Sequence, residues 1–98
     1  MSRLIRELFE MYSQDFDLVF SRDTDPIDLF YLQHTSEESN NLLKHMKELY
    51  NDILLKKKTI NDIKNMGLEY IPEGNRSPEA WLPRLIKYME DKLSSENP

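Results

Sequence analysis

Asp23, Asp25 and Asp28 are three carboxylates within six residues, the kind of cluster that can hold a hard cation such as calcium. A calcium-binding EF-hand loop starting at Asp23 needs glycine at its sixth position and glutamate at its twelfth. Those positions hold Asp28 and His34, so the pattern fails. The same acids are expected to cap and polarise the start of a helix, where negative charge complements the dipole. His34 and His45 are too far apart to share one helix face, and neither has a carboxylate at ligand spacing, so no metal site is expected. Nucleophilic catalysis needs a serine, cysteine or lysine beside a base and an orienting group. The chain has no cysteine, and its serines stand in cap or tail contexts. Two glycines are too few for a phosphate-cradling loop. No cofactor and no small-molecule substrate are expected, and the chain does not read as an enzyme. The one basic run, Lys56-Lys57-Lys58, reads as the solvated end of a helix. Trp81, four residues after a serine cap, reads as core. Tyr70, between Glu69 and Glu73 in an irregular segment, has the setting of a half-exposed contact.

Ninety-eight residues, 39% hydrophobic and 32% charged, allow one modest core and a single domain spanning 1–98. No apolar run approaches the ~20 residues of a membrane span, and the N-terminus lacks a signal-peptide core. The cytoplasm is the expected location, with no membrane partner. The net charge of −5 is uneven: −4 over residues 1–35, +1 over 36–58 and −2 over 59–98. An acidic N-terminal third argues against nucleic-acid binding, which depends on neutralising phosphates, and suits a basic protein partner.

The elements that position these residues read as helices. Ser2 can cap a first one, with Leu4, Ile5, Leu8, Phe9 and Tyr12 on one face. Residues 13–20 continue it or turn, and Phe16, Val19 and Phe20 favour burial of one side. Ser21–Thr24 reads as loop. Asp25 as cap and Pro26 at the first position open a second helix. Thr35 with Glu38 has capping-box spacing for a third, running to about Lys56 on Leu42, Leu43, Met46, Leu49, Tyr50, Ile53 and Leu54. Thr59 caps a fourth, which Gly67 stops in a left-handed conformation. Leu68–Ile71 is a short extended segment. Ser77-Pro78 starts a fifth helix in which Pro83 predicts a kink or a frayed first turn. Residues 94–98 read as a disordered tail. The expected fold is an all-α bundle of about five helices.

Two stretches give the chain a family likeness. Leu8-Phe9-Glu10-Met11-Tyr12-Ser13-Gln14-Asp15-Phe16-Asp17-Leu18 resembles a Phe, Tyr and Gln-Asp-aromatic-Asp segment, and Met66-Gly67-Leu68-Glu69-Tyr70-Ile71-Pro72 is followed by Ser77 and Trp81-Leu82 with Ile86. Together they resemble the immunity proteins of bacterial contact-dependent growth inhibition systems. Phe16 stands where a tryptophan is commoner in that family, and Arg22–Asp25 has no counterpart. The resemblance implies a monomeric cytoplasmic protein that binds the C-terminal toxin domain of a cognate effector one-to-one. Many such toxins are nucleases with basic clefts. The contacts it points to are Asp15, Asp17, Asp23 and Asp25 in the acidic segment, and Glu69, Tyr70 and Glu73. Tyr70-Ile71-Pro72 and Asn75–Glu79 are also similar to a tyrosine segment of nuclease-bacteriocin immunity proteins. A small acidic regulator of a transcription or replication protein would carry the same fold and charge.

Overall fold

The computed structural model describes residues 3–12, 16–68 and 77–96, and for Asp17, Ile60, Pro78, Ser95 and Glu96 it describes the backbone alone. These residues form α1 (Arg3–Phe9), a single turn α2 (Phe16–Val19), α3 (Asp25–Gln33), α4 (Ser36–Leu54), α5 (Ile60–Asn65) and α6 (Pro78–Glu96), with no strand among them. The all-α expectation holds. Ser2, Asp15, Glu69, Tyr70, Glu73 and the segment from 69 to 71 lie outside the described residues.

Local chemistry sets most of the ends. Thr35 Oγ1 accepts from Glu38 N at 3.1 Å while Glu38 Oε1 accepts from Thr35 N at 3.1 Å, closing the expected capping box on α4. Thr59 and Asp62 make the same reciprocal pair on α5, at 2.8 and 3.4 Å. The carboxylates of Glu38 and Asp62 are both held below their usual range, first by the backbone N–H each accepts. Helix α4 ends at Leu54, two residues short of the expected Lys56. Lys56 adopts φ 63°, and Lys56 N and Lys57 N donate to Ile53 O and Asp52 O, the paired bonds of a Schellman motif. Leu54 is therefore solvent-exposed, although its spacing predicted burial.

Gly67 stops α5 at φ 106°, and its N–H donates to Lys64 O at 3.0 Å. A Cβ built there would also lie 3.1 Å from Glu10 Cγ of the turn after α1. Beside it, Arg6 Nη2 donates to Asn65 O at 2.9 Å, placing a cation at the negative end of α5. Gly67→Ala is expected to cost about 1–2 kcal/mol in urea unfolding, chiefly from the left-handed backbone.

Three sequence expectations are corrected. Thr24 already has helical backbone, so α3 begins one residue earlier than read: Asp25 is its first residue and Pro26 its second. The first turn of α6 is not frayed, because Ser77 O accepts from Ala80 N at 3.2 Å and Trp81 N at 3.0 Å. Pro83 leaves only the carbonyl of Glu79, on an exposed residue, without its helical donor. And α6 continues through Glu96, anchored by buried Leu93, where a tail from Ser94 was expected.

The core lies where α4 meets α6 and where α1 and α3 close over that pair. Leu8, Phe9, Ile27, Phe30, Leu42, Met46, Leu82, Leu85 and Met89 are fully buried in it, as is Trp81.

His34 ties α1 to the end of α3. Its Nδ1 lies 2.9 Å from Phe30 O and its Nε2 2.6 Å from Glu7 Oε2, while its ring stacks on Phe30 at 3.7 Å. Both partners only accept, so the imidazolium, with two N–H donors, fits this place. Burial pulls the imidazole pKa down, but the Phe30 carbonyl and the Glu7 carboxylate outweigh it, and the net shift is upward. A raised histidine stabilises the fold below its ordinary pKa of about 6.5, and that contribution disappears as pH rises through the folded value. The melting temperature is expected to fall from pH ~6 to pH ~8, and His34→Gln to flatten that slope.

Candidate functional site

The two stretches that carry the family likeness converge on Asp23. Tyr12, turned inward by the tight turn after α1, meets Trp81 of α6 edge-to-face at 4.7 Å and 86°. The Tyr12 hydroxyl donates to the backbone carbonyl of Asp23. The Asp23 side chain accepts from Trp81 Nε1 at 3.3 Å, from Arg84 Nε at 2.7 Å and from Arg84 Nη2 at 3.2 Å. Trp81 and Arg84 stand three residues apart on α6, the spacing that puts two side chains on one face. Asp23 is only 8% exposed. Burial pushes the Tyr12 phenol far above its ordinary pKa, with Asp23 and Asp25 adding to it, so it stays a donor at any physiological pH. The bond to Asp23 holds the Arg84 guanidinium further up.

The other acids of the segment have partners too. Asp25 Oδ2 accepts from Ser21 N at 2.9 Å and Arg22 N at 2.8 Å, and Oδ1 from Arg22 Nε at 3.0 Å. Burial raises the Asp25 carboxyl, but these bonds together hold it below its usual range. Asp28 accepts from the Tyr88 hydroxyl at 2.7 Å and pairs with Lys92 at 3.3 Å and Arg22 at 3.5 Å. That bond to Asp28, ahead of burial, raises the Tyr88 phenol pKa. Asp23 is thus held from α6 by Trp81 and Arg84, while Asp25 and Asp28 share the guanidinium of Arg22, and Asp28 reaches Tyr88 and Lys92 as well. Among the described residues no group of three or more His, Asp or Glu side chains is placed to hold a metal ion, and no helix is long and apolar enough to cross a membrane.

The chain matches no protein-family model, no curated protein and no solved structure.

Between the 22–24 turn and α6 lies an open cleft of about 840 Å³, walled by Arg22, Thr24, Pro83, Arg84, Lys87 and Tyr88. Its cations are paired: Arg22 with Asp25 and Asp28, Arg84 with Asp23, and Lys87 with Asp91 at 3.7 Å. Such a surface can receive a polar partner group by exchanging ion pairs, but it presents no strong net field.

Of the seven acidic and aromatic residues read from the sequence as contacts, Asp23 is turned into the protein, toward Trp81 and Arg84. Asp25 is half-buried and organises its own turn. Asp17 is placed by its backbone in α2. Asp15, Glu69, Tyr70 and Glu73 fall outside the description, so the seven are not brought into one described patch. Tyr12 and Arg84 were not singled out. The signal for Arg84 was its position three residues after Trp81; for Tyr12 it was its place in the likeness-bearing stretch, since its helical apolar spacing is one that any core residue gives.

Another expectation fails in α2. Phe16 is buried, stacked on Tyr12 at 5.4 Å, and Phe20 leans on Phe16 at 5.3 Å, but Val19 is exposed along with Leu18.

Proposed function

We propose that this protein is a cytoplasmic immunity protein, related to those of contact-dependent growth inhibition systems, that binds a basic toxin domain one-to-one and blocks it. The observation that supports this reading best is the meeting of the two likeness-bearing stretches, Tyr12 and Phe16 with Trp81, in one buried cluster around Asp23. The acidic balance of the N-terminal third supports it further, because complementary charge speeds capture while a few desolvated apolar contacts slow release. On this reading the toxin is a nuclease or another enzyme with a basic cleft, and the acidic N-terminal third, net −4 over residues 1–35, shields it.

This reading expects the gene directly upstream to encode a large secreted protein, and the test is co-expression with the C-terminal domain of that protein. The expected result is rescue of growth and a one-to-one complex by light scattering. The absence of both rescue and complex would overturn the proposal. If the complex forms without rescue, inhibition is wrong and binding stands.

A further inference from the structure

Leu18 and Val19 are consecutive, 85% and 70% exposed, and sit on the single turn α2. Isolated exposed aliphatics are ordinary on a soluble protein. This pair differs in how it is held. Phe16 and Phe20, on either side of it in sequence, are joined to each other and to fully buried Tyr12 by ring contacts, so the turn stands on an aromatic base continuous with the core. An apolar pair fixed in this way loses little side-chain and backbone freedom on binding, which favours affinity.

The charge around it selects the occupant. Between Arg6 and Arg22 the sequence has four acidic residues, Glu7, Glu10, Asp15 and Asp17, and no basic one. The whole stretch 10–28 carries six acids against Arg22, a net −5, which Arg84 and Lys92, paired with Asp23 and Asp28 from α6, bring to −3. Asp23, Asp25 and Asp28 are engaged with Arg84, Arg22 and Lys92 inside the fold. A second copy would bring the same negative stretch against itself, and an anionic lipid surface would be repelled likewise. A basic protein surface with an apolar recess is the complement that remains.

We infer that Leu18 and Val19 form the apolar anchor by which this protein docks into a recess on a basic protein partner. The inference rests on the immunity reading and adds to it the contact that governs release. Charge brings the partners together, and the aliphatic pair, desolvated at the centre, sets the dissociation rate.

The experiment measures binding of a catalytically inactivated form of the upstream-encoded toxin domain to the full chain by calorimetry and surface plasmon resonance. Three proteins are compared: wild type, Leu18→Ser/Val19→Ser, and Leu54→Ser/Leu55→Ser. The last changes another exposed leucine pair, beside Lys56–Lys58 instead of acids. The expected result is a loss of at least about 30-fold in affinity for the α2 variant, mainly in dissociation rate, with its melting temperature kept and the Leu54/Leu55 variant binding as wild type. Binding of the α2 variant within about 3-fold of wild type overturns the anchor and leaves the immunity reading standing. Equal losses in both variants overturn it too, since the effect is then not specific to α2. No binding by wild type overturns both readings. A wild-type dimer in sedimentation equilibrium that the α2 variant abolishes would replace the basic partner by a second copy.

Discussion

Asp23→Ala is expected to lower the unfolding free energy by about 2–3 kcal/mol, a large loss for a single surface-turn residue. The side chain accepts three hydrogen bonds, and its removal affects the donors unequally. Trp81 Nε1 is left in a fully buried ring with no carboxylate to receive it, which costs the desolvation of a buried donor. Arg84, 60% exposed, returns to water at little cost. The Tyr12 bond survives, because it ends on the backbone carbonyl of residue 23. Arg84→Ala reverses the asymmetry by leaving a mostly buried carboxylate without its cation, and a loss of about 2 kcal/mol is expected, below the range for fully buried pairs because the cleft admits water. The double variant should lose less than the sum, with a coupling of about 1 kcal/mol or more in a urea cycle. Strict additivity would mean that the ion pair contributes nothing beyond its separate parts.

The helices were legible because each rule that sets them is local. Capping boxes at Thr35 and Thr59, the left-handed stop at Gly67 and the serine start of α6 each depend on residues within four positions of one another. The errors fall where a tertiary preference overrode a local one. Thr24 joined the helical backbone of α3, which moved Asp25 from capping its own helix to closing the turn behind it. Val19 had the spacing of a buried residue, but a one-turn helix seated on Phe16 has only one face to bury. Asp23 reads as a solvated loop acid in any sequence window, since nothing near it announces that Trp81 and Arg84, about sixty positions away, turn their donors toward it. Candidate contacts were harder to read than the fold for the same reason. An acid that serves a partner and an acid that serves the core have the same composition, and only the donors around them tell the two apart.

That distinction makes Trp81 the second decisive position. Trp81→Ala is expected to cost about 3–5 kcal/mol, a large share of the roughly 5–15 kcal/mol that holds a domain this size. Trp81→Phe separates the two things the indole does. It keeps most of the buried ring area and the edge-to-face partner for Tyr12, but deletes the N–H that Asp23 accepts. Its expected cost is about 1–2 kcal/mol, read by far-UV circular dichroism in urea because the chain has no other tryptophan to report fluorescence. If Trp81→Phe costs as much as Trp81→Ala, the hydrogen bond to Asp23 dominates, and the cluster is an electrostatic device. If it costs almost nothing, the ring alone holds α6 to the Tyr12 turn. An intermediate value is expected because Arg84 supplies two of the three side-chain bonds to Asp23 and remains in place in the variant. The same substitution bears on binding. The pedestal under Leu18 and Val19 begins at Tyr12, so, if that pair is the proposed anchor, loosening Trp81 against it should weaken toxin binding before the helices themselves are lost.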